Sequence, residues 1–338
     1  MRSYDAIIAG ASFAGLAVAS NIEGDILLID RKEIGTNQTS ACGTFYKVIE
    51  EFNCERSILQ TFDTLILHCP EEKKIELIEP LCTFDYKKLC KILANRVKAK
   101  KIKTTVKGVN GHRVITNSPE FSCCQSECIV DCTGWKAILA SSLKNGFVDK
   151  NKLSFGIETI VDYQDDNLHF FINPKIIRKG IAWIFPAGKK SRIGVASYIG
   201  KTDLIPELKR FLENMDLKMT EVHGGYIPYG LRETVVDNIF LVGDAAGQAT
   251  PLTAEGIRKS LYFGKECGKI IQKIIDKEIT LKEGLKEYKS FVEKSERGYK
   301  WLLSLQNQLL EHEIPEILWK AFDNKVFSKN FQKAYLKI

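Results

Sequence analysis

Residues 4–30 read YDAIIAGASFAGLAVASNIEGDILLID, and the order of apolar and small residues in this stretch decides the fold. Residues 4–9 are a short, mostly apolar run, residues 10–15 a turn of small residues, residues 16–21 a small-residue helix, and residues 26–29 a second apolar run that ends on Asp30. Apolar runs of strand length bounded by glycine read as buried strands, so the chain opens as a βαβ unit. In Gly10-Ala11-Ser12-Phe13-Ala14-Gly15 the first glycine lets the chain turn sharply out of the strand. Ser12 and Ala14 keep the turn small enough for backbone to approach a pyrophosphate, and Gly15 lets the helix pack on the sheet. Asp30, with Arg31 beside it, stands where a carboxylate takes the hydroxyls of an adenosine ribose. A tight turn in any α/β fold would use the same glycines. Strand, helix and acid in register favour a dinucleotide.

A second motif chooses among dinucleotides. An apolar run at residues 239–242 leads into Gly243-Asp244-Ala245-Ala246-Gly247, then Pro251, then Ala254-Glu255-Gly256-Ile257 at the start of a helical pattern. A strand-end aspartate preceded by glycine can reach a ribityl hydroxyl, and a helix N-terminus offers N–H groups and a positive dipole end to the pyrimidine edge of a flavin. These residues resemble the glycine-aspartate motif of the FAD enzymes grouped with aromatic hydroxylases and geranylgeranyl reductases.

Further stretches narrow the resemblance. Residues 129–134, IVDCTG, are similar to the strand ending in Ala-Thr-Gly of these flavoproteins, with Cys132 in place of alanine and Thr133-Gly134 retained. The hydroxylase pattern of Asp-Gly followed by Ser and Arg is altered at Thr133, Ala137 and Ala140, which argues against NADPH-driven hydroxylation. Residues 181–188, IAWIFPAG, followed by Gly194-Val195-Ala196, resemble the Tyr-x-Trp-x-Phe-Pro and Gly-x-Gly signature of geranylgeranyl reductases, with Ile181, Ala187 and Ala196 as departures. Cys42-Gly43 matches the place where that family has Cys-Gly beside the isoalloxazine, and Gly224-Gly225 with Pro228 its flavin–substrate boundary. The likeness spans residues 4–275. It implies FAD as cofactor, Cys42 as a candidate catalytic thiol, and Trp183, Phe185, Pro186 and Gly225 as substrate contacts. Each has a plainer reading too: core packing for the two aromatics, an inert thiol for Cys42, a turn for Gly225.

The remaining chain fits two lobes. Residues 84–97 have helical apolar spacing, and Asn110-Gly111 between residues 104–109 and 113–116 signals a hairpin. Residues 153–198 alternate like a sheet, with Phe155, Ile157, Thr159 and Val161 on one face. Residues 204–215 read as an amphipathic helix, and Thr280 with Glu283 as a capping box opening a helix to about residue 311. The expected architecture is α/β: a Rossmann-like FAD-binding domain (1–50, 84–140, 232–275) with an inserted β-rich substrate domain (51–83, 141–231) and a helical C-terminal region (276–338). The flavin is expected where the lobes meet.

Composition excludes several classes. A 338-residue chain that is 44% hydrophobic and 27% charged is globular, and no apolar run approaches the roughly eighteen residues of a membrane span. No secretory leader is read, so the cytoplasm is the expected location. The net charge of +7 is spread among interleaved acids and bases, which argues against nucleic acid. The ten cysteines are dispersed; Cys123, Cys124, Cys128 and Cys132 lack zinc or iron–sulfur spacing, so no metal is expected. The C-terminal apolar residues Trp301, Leu302, Leu305, Leu309, Leu310, Ile314, Ile317, Leu318, Trp319 and Phe322, flanked by lysines, either close the core or touch a membrane surface peripherally.

The resemblance implies reduction of carbon–carbon double bonds in an isoprenoid lipid or diphosphate. Electrons would come from NAD(P)H or a ferredoxin-like protein. A monooxygenase or halogenase of the same fold, and a non-catalytic lipid-binding or electron-transfer flavoprotein, are the alternatives.

Overall fold

Strand Ala6–Ala9 is buried at every position, as a near-continuous apolar run in a parallel sheet must be. The computed structural model describes residues 2–69, 71–311 and 324–338. It divides into one unit of residues 1–37, 87–150 and 228–297, and another of residues 38–86, 151–227 and 298–338.

The first unit is built on a six-stranded sheet in the order Val235–Val236, Ile239–Leu241, Cys128–Asp131, Ala6–Ala9, Ile26–Asp30, Lys100–Lys103. All pairs are parallel except the Val235–Val236 edge. Helix Phe13–Ala19 is wholly buried. Helix Ile257–Ile275 lies against it at glycines: a Cβ on Gly264 would stand 2.8 Å from Ala14 O, and one on Gly268 2.4 Å from Val18 O. A four-stranded sheet in the order Arg2–Ser3, Cys123–Gln125, Arg113–Thr116, Val106–Asn110 carries the expected hairpin, with Gly111 at φ +55°.

The second unit holds an eight-stranded sheet in the order Val222–Pro228, Leu153–Val161, Lys190–Ser197, Gly180–Ala187, Leu168–Phe171, Ile58–His68, Glu72–Phe84, Gly43–Phe45. One face contributes Ile157, Val161, Ala182, Ile184, Ile193 and Val195 to a core closed by Leu208, Phe211 and Leu212 of helix Ile205–Glu213. The opposite face carries the polar residues described below.

Several expected boundaries are corrected, with residues 141–150 and 228–231 grouping with the first unit and 84–86 with the second. Residues 38–50 group with the second unit, because Gly43–Phe45 pairs with Leu81–Thr83 of strand Glu72–Phe84. Residues 276–297 group with the first, where the buried Tyr288 of helix Leu281–Glu293 donates its hydroxyl to Leu241 O at 3.0 Å. The single long C-terminal helix is two, Leu281–Glu293 and Glu296–Glu311. The run Glu293-Lys294-Ser295-Glu296-Arg297 between them has no apolar residue to bury.

The capping box is formed: Glu283 N donates to Thr280 Oγ1 at 3.3 Å and Thr280 N to Glu283 Oε2 at 2.8 Å. Thr280→Ala is expected to cost about 1 kcal/mol, read as a lower urea midpoint. No helix among the described residues is long and apolar enough to cross a membrane. Leu302 and Leu309 are buried, and the Trp301 ring lies 5.2 Å from that of Phe331 in the same unit. Ile314, Ile317, Leu318, Trp319 and Phe322 lie outside the described residues.

Candidate active site

In the first unit the glycine turn is enforced by close backbone approach. Gly10 has φ +106°, and a Cβ there would fall 2.0 Å from Cys132 O; one on Gly15 would fall 1.8 Å from Gly10 O. Ser12 is the half-exposed N-cap of helix Phe13–Ala19, and Ala14 is buried. The Asp30 carboxylate accepts Ala11 N at 2.7 Å on one oxygen and Lys32 N at 2.9 Å on the other. It therefore staples the turn to its own strand end and keeps a lone pair on each oxygen for a hydroxyl donor. Arg31 beside it is exposed.

The loop after strand Cys128–Asp131 is held by a residue that sequence reasoning passed over. Asp131 is fully buried, and its Oδ1 accepts Thr133 N and Thr133 Oγ1 at 3.0 and 2.7 Å while Oδ2 accepts Leu139 N and Ala140 N at 2.9 and 3.0 Å. Burial pushes this carboxyl up and the hydrogen bonds oppose the shift. Thr133 gives its hydroxyl proton to Asp131 and accepts Ile138 N at 2.7 Å, so that side chain serves the loop, leaving the flanking backbone and Gly134, at φ +79°, as its open face.

The second motif lies against the first. A Cβ on Gly243 would stand 2.9 Å from Ala14 Cβ, and the Gly243 N–H is fixed by Gln248 Oε1 at 2.7 Å, a side chain that in turn donates to Tyr288 Oη at 3.2 Å. Burial pushes the Asp244 carboxyl up to about 6, with Arg232 pulling the other way. Arg232 was also missed; it lies twelve positions before Asp244, in no recognisable motif. Its Nη1 donates to Trp135 O at 3.0 Å, and its buried Nη2 has no partner among the described residues. A Cβ on Gly256, the N-cap of helix Ile257–Ile275, would lie 3.7 Å from Asp244 Oδ1, so aspartate and helix start are adjacent. Pro251 and Ala254, the latter at φ +53°, shape the connecting loop. The Glu255 carboxylate is committed to Arg258, which donates to it at 3.0 and 2.9 Å.

Of the expected cofactor residues, Cys42 and Gly43 do not fall in this unit. They lie in the second, with Trp183, Phe185, Pro186 and Gly225. A Cβ on Gly43 would meet the Phe185 ring at 2.7 Å. Cys42 is fully buried at φ +55°, its thiol 3.3 Å from Ser40 O. Across three strands Glu158, Gly194 and Trp183 are in register. Gly194 contributes no side chain, so the indole lies over it, where a Cβ would be 2.2 Å from Cζ2, and donates Nε1–H to Glu158 Oε2 at 3.1 Å. A Cβ on Gly225 would meet nothing within 4 Å.

No family model matches the chain. Over 321 residues it is 29% identical to digeranylgeranylglycerophospholipid reductase 1 of Methanosphaera stadtmanae, covering 85% of this chain and 80% of that protein. The similarity to digeranylgeranylglycerophospholipid reductases thus runs over most of both chains. The chain's fold agrees with that of a geranylgeranyl bacteriochlorophyll reductase-like protein from Thermoplasma acidophilum, with TM-score 0.86, 19% identity and coverage of 96% and 92% of the two chains. A myxobacterial FAD-dependent halogenase shares the fold more distantly, at TM-score 0.73 and 13% identity over 90% and 82%.

Proposed function

We propose that the chain is an FAD-dependent reductase that saturates carbon–carbon double bonds of a geranylgeranyl-type isoprenoid lipid. What carries this reading is that the likeness to a digeranylgeranylglycerophospholipid reductase runs over 85% of the chain, through the β-rich unit as well as the nucleotide-type one. A shared cofactor domain alone would not speak to substrate.

The first unit fits FAD. The turn of Gly10, Ser12, Ala14 and Gly15 would take the pyrophosphate, Asp30 and Arg31 the adenosine ribose, and Thr133-Gly134 the neighbouring backbone path. Gly243 and Asp244 would hold the ribityl chain. Pro251, Ala254, Glu255, Gly256 and Ile257 would present backbone to the pyrimidine edge. The buried, partnerless Nη2 of Arg232 beside Asp244 is a donor that an anionic or carbonyl group would satisfy. When bound, the flavin supplies a hydride and its electron pair. Trp183, Phe185, Pro186, Gly225 and the Cys42-Gly43 pair would contribute an apolar surface for a polyprenyl chain. NAD(P)H or a ferredoxin-like protein reloads the flavin. Peripheral contact with the membrane that carries the lipid belongs to the same reading, with Val326 and Phe327 exposed on helix Lys325–Lys337.

Asp244→Ala is expected to weaken FAD binding by about 10- to 150-fold, the worth of a charge-assisted hydrogen bond of about 1.5–3 kcal/mol. A ribityl hydroxyl that donates to the carboxylate favours its ionised form. Since burial holds that carboxyl near 6, affinity should tighten as pH rises through that value and weaken as it falls, where a proton must first be lost. Flavin fluorescence quenching at about pH 5 and about pH 7.5 checks this. Equal affinity at both, or a fully loaded Asp244→Ala protein, contradicts the assignment.

The reaction itself is tested by adding a geranylgeranyl lipid to the anaerobically reduced protein and following the flavin spectrum. Reoxidation by the lipid without oxygen is the expected result. Reoxidation only with oxygen would point to hydroxylation or halogenation instead.

A further inference from the structure

The β-rich unit buries a charged cluster on the sheet face opposite its apolar core. Glu158, Trp183, Phe185 and Arg192 are all buried there. Glu158 Oε2 accepts Trp183 Nε1–H at 3.1 Å, and Oε1 faces His223 Nε2 at 2.8 Å and accepts Gln38 Nε2 at 3.5 Å. Arg192 is close but not bonded: its Nε stands 4.0 Å from Glu158 Oε1, its Nη2 donates to Phe84 O at 3.2 Å, and its Nη1 has no partner among the described residues. If Glu158 served only to neutralise Arg192, the two would be hydrogen-bonded. Its oxygens instead orient an indole and an imidazole.

The backbone is arranged to bring that imidazole in. Strand Val222–Pro228 is the outermost of the sheet, next to Leu153–Val161. A Cβ on Gly224 would fall 2.1 Å from Gly156 O, so only glycine allows the two strands to approach this closely beside His223. Thr220 N donates to Thr159 Oγ1 at 3.1 Å and holds the start of the same segment. The Glu158 side chain is 4% exposed and that of His223 23%. A buried carboxylate thus orients a ring that still reaches solvent, and because Nε2 faces the carboxylate, Nδ1 is the end left over. It makes no hydrogen bond among the described residues. Gly225, two positions on, borders open space.

We propose that Glu158 and His223 form the proton-donating dyad of alkene reduction, with His223 the acid at Nδ1 and Glu158 and Trp183 its positioning residues. This rests on the reductase reading above. The π bond of the alkene breaks; one carbon takes a hydride, with its electron pair, from the reduced flavin, and the other takes a proton from the imidazolium of His223. Two C–H bonds form, the alkene is reduced, the flavin is oxidised, and the neutral imidazole regains a proton from water. Carboxylate–imidazole pairs serve as general acids elsewhere because the carboxylate fixes the tautomer and stabilises the imidazolium. The thiol of Cys42, fully buried and turned to Ser40 O, is the weaker candidate for the role.

The test uses FAD-loaded, anaerobically reduced protein and a geranylgeranyl phospholipid, following both flavin reoxidation and saturated product. His223→Ala is expected to slow product formation about 100-fold or more, with flavin content at the wild-type value, and added imidazole should restore part of the rate. His223→Gln should be as slow and gain nothing from imidazole. A His223→Ala enzyme within about threefold of wild type, or a slow one that imidazole leaves unchanged, overturns the dyad while wild-type turnover upholds the reductase. Wild-type protein that reduces no polyprenyl substrate overturns both. A readout free of cofactor is the 15N-imidazole spectrum of the five histidines. Neutral His223 should be the Nε2–H tautomer in wild type and a mixture in Glu158→Ala; an Nδ1–H tautomer in wild type overturns the geometry.

Discussion

Gly15→Val should yield a protein that retains no flavin and whose nucleotide-type unit is weakened by about 3 kcal/mol or more. A Cβ at this position falls 1.8 Å from Gly10 O and 3.3 Å from Ile8 Cγ2. The first contact is with backbone, so no rotamer change relieves it. Helix Phe13–Ala19 must move off strand Ala6–Ala9 by more than an ångström, roughly the gap to an ordinary contact. Overpacking of a close-packed core costs about 1–3 kcal/mol where side chains can give, and more where they cannot. The same displacement turns the peptide at Gly10, whose N–H is held by Ile29 O at 2.7 Å, and with it the N–H groups offered to a pyrophosphate. Gly111→Ala is the control. It too has positive φ, but a Cβ there meets nothing within 4 Å, so it should cost about 1 kcal/mol and leave flavin content intact. Absorbance of the purified proteins and urea unfolding read both effects, and a yellow, stable Gly15→Val protein would show that the turn is looser than described.

Asp131→Asn is expected to be nearly as damaging as Asp131→Ala, at about 3–5 kcal/mol. Both carboxylate oxygens accept two donors each, Thr133 N and Oγ1 on one, Leu139 N and Ala140 N on the other. An amide has one oxygen. Whichever way asparagine turns, its NH2 faces two donors in a fully buried site, and each unsatisfied group costs about 1–3 kcal/mol. The consequence reaches the cofactor side, because the loop that Asp131 ties down contains Cys132, whose carbonyl would lie 2.0 Å from a Cβ on Gly10. Urea midpoints and flavin content should fall together in both variants. An Asp131→Asn protein within about 1 kcal/mol of wild type would contradict the account of that loop.

How much of this was legible in the sequence depends on the range of the interaction involved. The parallel strands and the glycine turn were readable because a strand covered on both faces is apolar at nearly every position, as in Ala6–Ala9 and Ile26–Asp30. The hairpin Ile58–His68 with Glu72–Phe84 was not read, since its exposed face carries Asp63, Glu72, Lys74, Glu76 and other polar residues that hide the alternation. Sequence order alone puts Cys42 and Gly43 with the nucleotide-type segment, because only the pairing of Gly43 with Thr83 and the bond from Phe84 N to Cys42 O assign them elsewhere. Glu158 was invisible for a similar reason: Phe155, Ile157, Thr159 and Val161 announce an apolar face, and the residues between them gain meaning only from a register that aligns Glu158 with Gly194 and Trp183. Asp131 and Arg232 act through buried hydrogen bonds and charge, which no local spacing encodes.

The central claim, that this chain reduces isoprenoid double bonds with a flavin it binds itself, is tested most directly by the mass of the lipid. The FAD-loaded protein, reduced without oxygen and incubated with a digeranylgeranylglycerol phospholipid, should yield products heavier by successive pairs of hydrogens. In deuterated water each reduced bond should gain two deuteriums, because the N5–H of reduced flavin exchanges with solvent as the acid's proton does. A lipid recovered at its starting mass, from protein shown to carry reduced flavin, would contradict the account.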